Sequence, residues 1–75
     1  MYWGTATLDE AARLTRREID VLRLIAHGCT YQQVADQLGV SLHTVGSHIK
    51  NAYRKLGVRS AAAAVMRAVT MRLLA

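Results

Sequence analysis

At 75 residues the chain has room for one small domain, and with 52% hydrophobic residues it is too apolar to be intrinsically disordered. A single cysteine excludes an intrachain disulfide scaffold. No run of about 18 apolar residues is present to cross a membrane and no secretory signal is visible, so a cytoplasmic protein is expected. The net charge of +5 is unevenly spread. Asp9, Glu10, Glu18, Asp20 and Asp36 all precede Gln37; after it come Lys50, Arg54, Lys55, Arg59, Arg67 and Arg72, with no acid. Such a one-signed field favours a polyanionic partner.

Residues 1–13 show no strong period and read as a flexible N-terminal segment or linker, with a short helical turn over Leu8–Arg13 and Tyr2 and Trp3 as candidates to pack back on the domain. Residues 14–75 read as the domain proper. The absence of proline and the abundance of alanine, leucine and arginine point to helices.

From Leu14 the punctuation is regular. Thr15 with Glu18 makes a capping box, and Leu14 with Ile19 a hydrophobic staple. Ile19, Leu22, Ile25 and Ala26 then form the stripe of a first helix that stops at Gly28, a left-handed C-cap. The device repeats: Thr30 with Gln33 is the box, Cys29 with Val34 the staple. Val34, Ala35 and Leu38 supply the second buried face, and Gly39 ends it. Ser41 caps a third helix over about 42–56, with Val40 and Val45 as its staple and Gly57 as its stop. Ser60 caps a fourth, from Ala61 to about Leu74.

Wound at 3.6 residues per turn, the third helix separates into two faces. Leu42, Val45, Ile49, Ala52, Tyr53 and Leu56 occupy an arc of roughly 100° that is expected to be buried. His43, Ser47, Lys50 and Arg54 form the opposite stripe, flanked by Asn51 and Gly46, with no carboxylate along the helix. Hydrogen-bonding groups and positive charge without acids suit a groove lined by phosphates and base edges. The plain alternative is a solvated polar face. The turn Leu38-Gly39-Val40-Ser41 favours the groove, because it is short enough to force the second and third helices to a steep angle. Ala35 is small where the axes approach and Val45 fills the junction, which is the logic of a helix-turn-helix: one helix braces, the next enters the major groove.

Among single residues, Lys50 is the foremost candidate to bond guanine or phosphate. Arg54 and Lys55 also suit the C-terminal end of a helix dipole. His48 falls between the two faces and reads as scaffold. Glu18 reads as a cap and partner for an arginine, and Cys29 as a small buried hydrophobe. His27, His43 and His48 lack metal-ligand spacing with Cys29 or any carboxylate. With no nucleophile–base pair, metal set or phosphate-cradling glycine loop, neither an enzyme nor a cofactor is expected. On the fourth helix, Ala61, Ala62, Val65, Ala68, Val69 and Leu73 are expected to close the core. Ala63, Ala64, Arg67, Met71 and Leu74 are left for a symmetric dimer, or for contact with a regulatory domain.

The motifs Leu14-Thr15-x-Arg17-Glu18, Val21-Leu22-x-Leu24-Ile25-Ala26-x-Gly28, Val34-Ala35-x-x-Leu38, Ser41-x-x-Thr44-Val45-x-x-His48-Ile49 and Lys55-Leu56-Gly57-Val58 carry a resemblance. Over about residues 13–70 the chain resembles the LuxR-type (NarL/FixJ-like) helix-turn-helix DNA-binding domain of bacterial transcription regulators. The resemblance implies an all-α domain with a three-helix core and a C-terminal dimerisation helix. It further implies binding to double-stranded DNA as a homodimer, with RNA polymerase as a further partner and no membrane contact. Position by position it puts Gly46, Ser47 and Lys50 at bases and phosphates, Thr44 at a phosphate, and Thr30 and Tyr31 where the second helix nears the DNA backbone. The chain departs from the family pattern at Gly46, where lysine is frequent, and at Arg16, where proline is favoured. Two other readings remain: a sigma-factor promoter-reading helix-turn-helix, which the apolar excess of the fourth helix disfavours, and a protein-interaction module that keeps the fold without binding DNA.

Overall fold

The computed structural model describes residues 13–74. The expected segment at 1–13 lies outside them apart from Arg13. The described residues form four α-helices: α1 Arg16–Ala26, α2 Tyr31–Leu38, α3 Leu42–Leu56 and α4 Ala61–Thr70. No strand occurs among them.

Each helix begins where a short polar side chain satisfies first-turn amides. Thr15 N–H donates to Glu18 Oε1 (2.9 Å) and Glu18 N–H to Thr15 Oγ1 (3.1 Å), completing the capping box of α1. Thr30 and Gln33 repeat it at α2, at 2.8 and 3.1 Å. Ser41 and Ser60 accept the amides of Thr44 (3.0 Å) and Ala63 (3.1 Å). The helix ends are also alike. A residue of positive φ follows each last turn: Gly28 (93°), Gly39 (68°), Gly57 (70°) and Arg72 (60°). The next amide reaches back, from Cys29 to Leu24 O, Val40 to Ala35 O, Val58 to Tyr53 O and Leu73 to Ala68 O, which is the long bond of a Schellman motif. Glycine takes the left-handed conformation three times without a Cβ penalty; Arg72 does so with one.

Packing divides α3 between two clusters. Its first half contributes Val45 and Ile49 to a cluster with Val21, Val34 and Ala35. Its second half contributes Ala52 and Leu56 to a larger cluster with Leu14, Leu22, Val58, Ala64, Ala68 and Leu74. Tyr53 packs against both. The recognition candidate is thus held by α2 at one end, by α4 at the other, and by α1 along its length.

Four expectations are corrected. First, α4 ends at Thr70 rather than near Leu74, because Arg72 turns the chain left-handed. Second, that turn and the rotation of α4 put Ala64 and Leu74 in the core (0% and 6% exposed) beside the expected Ala68, while Val69 is 50% and Met66 66% exposed. Ala64 and Leu74 therefore leave the proposed dimer face, and Val69 and exposed Ala62 leave the proposed core face. Third, α1 buries Val21 with Leu22 and exposes Ala26. Its buried stripe lies one residue from the expected one, since the face must meet α3 as well as α4. Fourth, Leu42, expected inside, is 50% exposed: it begins α3, a turn ahead of Val45, the first α3 residue to enter the core.

Candidate nucleic-acid interface

Ser41 starts the outward face of α3. Its hydroxyl accepts the Thr44 amide and lies 2.9 Å from Thr44 Oγ1, so Thr44, half-buried, is oriented before any ligand arrives. Beyond it His43, Ser47, Lys50 and Arg54 are exposed, and so is Asn51 beside them. The spacing i, i+4, i+7, i+11 aligns the first four along one side of the helix. Gly46 and His48 are half-buried at the two margins of that stripe. Thr30 and Tyr31, at the start of α2, are exposed, but the Thr30 hydroxyl already serves the Gln33 amide.

The expected binding residues of α3 therefore share one solvent-facing surface, with Thr44 at its start. Among the described residues no ion pair engages Lys50 or Arg54. Four other bases, Arg16, Arg17, Arg23 and Lys55, are paired with acids of the chain. Asp20 collects Arg16, Arg23 and Arg17 at 3.4, 3.6 and 3.9 Å. Glu18, 2% exposed, takes Lys55 Nζ at 2.8 Å, and the same ammonium donates to the Arg13 carbonyl at 3.2 Å. The expected arginine partner of Glu18 is thus a lysine of α3. This buried pair ties α1 to the last turn of the candidate reading helix.

A second tie was not foreseen from sequence. Burial, then the hydrogen bond and charge of the adjacent Tyr31 hydroxyl, push the Tyr53 phenol from 10.0 up to about 12. All three favour the neutral phenol, and they set Tyr31 at the start of α2 beside Tyr53 in the second half of α3. The signal was two tyrosines on helices already expected to cross; the sequence offered no register between them. Cys29 is half-buried and accepts from Gln37 Nε2 at 3.6 Å. Among the described residues no group of three or more His, Cys, Asp or Glu side chains could hold a metal ion, and no helix is long and apolar enough to cross a membrane.

On α4 the expected dimer residues divide. Ala63 and Met71 are half-buried against the larger core cluster, and Arg67 is half-buried beside them. With Val58, Met66 and Thr70, Ala63 and Arg67 line an open groove. Ala64 and Leu74 are inside. Met66 is the exposed apolar residue that sequence reasoning missed here: it was assigned to neither face, because alanines on every side of α4 blur its apolar stripe.

Residues 12–68 match the family described as bacterial regulatory proteins, luxR family. The chain is 47% identical over 58 residues to the nitrate/nitrite response regulator protein NarP of Escherichia coli (strain K12), covering 77% of this chain and 27% of that protein. It is 46% identical over 57 residues to the probable transcriptional regulatory protein SgaR of Hyphomicrobium methylovorum, covering 76% and 27%. The matched segment thus spans about a quarter of the length of these relatives. The family match sets the sigma-factor reading aside.

Proposed function

The chain belongs to the luxR family of bacterial regulatory proteins, and from that premise we propose that it is a non-enzymatic, sequence-specific module that binds double-stranded DNA in a cytoplasmic transcription regulator. The observation that carries the reading is the outward side of α3. There His43, Ser47, Lys50 and Arg54 stand exposed in one line, on a helix whose other side is locked into two core clusters. A rigid helix with hydrogen-bonding groups, positive charge and no acid fits the major groove, where base edges carry the code. Ser47 and Lys50 read base edges; His43, Asn51 and Arg54 contact bases or phosphates according to the tilt of the helix. Gly46 lies between them. Thr44, and Thr30 and Tyr31 at the start of α2, approach the sugar–phosphate backbone.

The module binds as a homodimer through α4. The surface that supports this is Ala63, Met66, Arg67, Val69 and Met71, with Met66 and Val69 replacing Ala64 and Leu74 as exposed apolar groups. Two copies related by a twofold would present two α3 helices to a palindromic site. RNA polymerase is a further partner in this reading, as the resemblance to transcription regulators implies.

The test is duplex binding by the 75-residue chain across a salt series. Logarithmic affinity should fall linearly with logarithmic salt, by about 0.9 per phosphate neutralised. Lys50→Ala should weaken a selected site by about 1–3 kcal/mol while changing a random duplex less; equal losses would make Lys50 a phosphate contact only. Binding to no duplex at low salt would favour the protein-interaction reading, which the frequent lysine missing at Gly46 motivates.

A further inference from the structure

Gly46 occupies the interior of α3, where glycine is less favourable than alanine. Nothing in the chain calls for it. Its φ is not positive, unlike that of Gly28, Gly39 and Gly57, and a Cβ built on it would meet no atom within 4 Å. The bare Cα leaves open space at that point of the helix surface. One turn earlier on the same side stands Leu42, 50% exposed, and one turn later Lys50, also exposed. Residues spaced i, i+4, i+8 overlie one another along a helix. The margin of the outward face thus holds an apolar side chain, a gap and a cation in sequence.

We propose that Leu42 and the bare Cα of Gly46 form an apolar notch that receives the C5-methyl group of a thymine, beside the base or phosphate held by Lys50. The proposal rests on the DNA-binding reading above and names a determinant of sequence within it. Among the features that base pairs present in the major groove, the thymine methyl is the apolar one. A helix lacking a side chain at Gly46 brings its backbone closer to the base edge than any other residue would permit. The neighbouring charge fits the same occupant, since Lys50 and Arg54 lie on an acid-free helix suited to polyanionic DNA.

The experiment uses duplexes selected from a random library by the 75-residue chain. Each thymine of the selected site is replaced in turn by deoxyuridine, which lacks only the methyl group. One thymine per half-site should account for a loss of about fourfold, the worth of one buried methyl. That loss should vanish in Leu42→Ala and in Gly46→Ala. Gly46→Ala should also bind the wild-type site about tenfold more weakly, without loss on a random duplex. Its melting temperature should rise by several degrees, which keeps a folding defect from imitating the result. The inference is overturned if no deoxyuridine changes affinity twofold, if the deoxyuridine effect persists in both variants, or if Gly46→Ala binds the selected site as tightly as the wild type. A wild-type chain that binds no duplex at all overturns the DNA reading as well, so the two failures are distinguishable.

Discussion

Arg54 and Lys55 are adjacent bases in the last turns of α3, yet they have different surroundings. Lys55 folds inward to Glu18, at 2.8 Å in a setting where the two side chains are 17% and 3% exposed, and also bonds the Arg13 carbonyl. Arg54 is exposed, in line with Lys50, Ser47 and His43. One residue of helix turns the side chain by about 100°, and that rotation separates a charge the fold consumes from a charge the fold leaves exposed. Equal formal charge therefore says little about role. What distinguishes the two is whether the chain supplies the counter-charge, and how much water was removed to do so.

The largest expected break of this contrast is Lys55→Ala. It leaves the Glu18 carboxylate buried without its cation, and loss of one partner from a buried pair costs about 3 kcal/mol or more. The Thr15 amide still donates to Glu18 and offsets part of the loss. Chemical denaturation should show a clear drop in midpoint, whereas Arg54→Ala should stay within about 0.5 kcal/mol of wild type and instead weaken duplex binding. If the two variants lose equal stability, the distinction between inward and outward bases is wrong.

A smaller effect is expected at Arg72, the only non-glycine residue with positive φ among those described. Arg72→Gly should stabilise the domain by about 1 kcal/mol, read as a rise in melting temperature. Because Arg72 is exposed and glycine keeps the turn that carries Leu74 into the cluster with Ala52 and Leu56 of α3, the affinity for DNA should not change. A fall in affinity would tie the α4 end to the reading surface, and blur the separation drawn from Arg54 and Lys55.

The smallest effect concerns the tyrosine tie and appears only in alkali. Tyr53 titrates near 10.0 when unfolded and at about 12 when folded. The folded state therefore holds the proton more tightly, and its contribution is complete below pH 10.0 and lost as pH rises from there to about 12. Stability measured across that window should fall less steeply in Tyr53→Phe than in wild type. An identical slope would mean that burial and the neighbouring Tyr31 do not hold the Tyr53 proton in the folded state.

Much of the architecture was legible because its causes are local. Thr15, Thr30, Ser41 and Ser60 act on amides three residues away, and Gly28, Gly39 and Gly57 on carbonyls of the preceding turn, so short spans of sequence carry those boundaries. The polar side of α3 was legible for a similar reason: periodicity alone aligns His43, Ser47, Lys50 and Arg54. Leu42 was misread because periodicity specifies direction around the helix but not how far the core extends along it.

What the amino-acid sequence determined by itself is the all-α helix-turn-helix, three of its four helix ends, the family, and the acid-free side of its third helix. Tertiary structure alone decided the rotation of α4, where alanine on nearly every side leaves hydropathy without a preferred face. Close packing then buried Ala64 beside the expected Ala68 and left Met66 and Val69 outside. It also decided the partner of Glu18 and the meeting of Tyr31 with Tyr53, contacts that depend on how helices distant in sequence are stacked. Capping and periodicity act within a turn or two of helix; burial and pairing act between helices, so they exist only once the whole chain has packed.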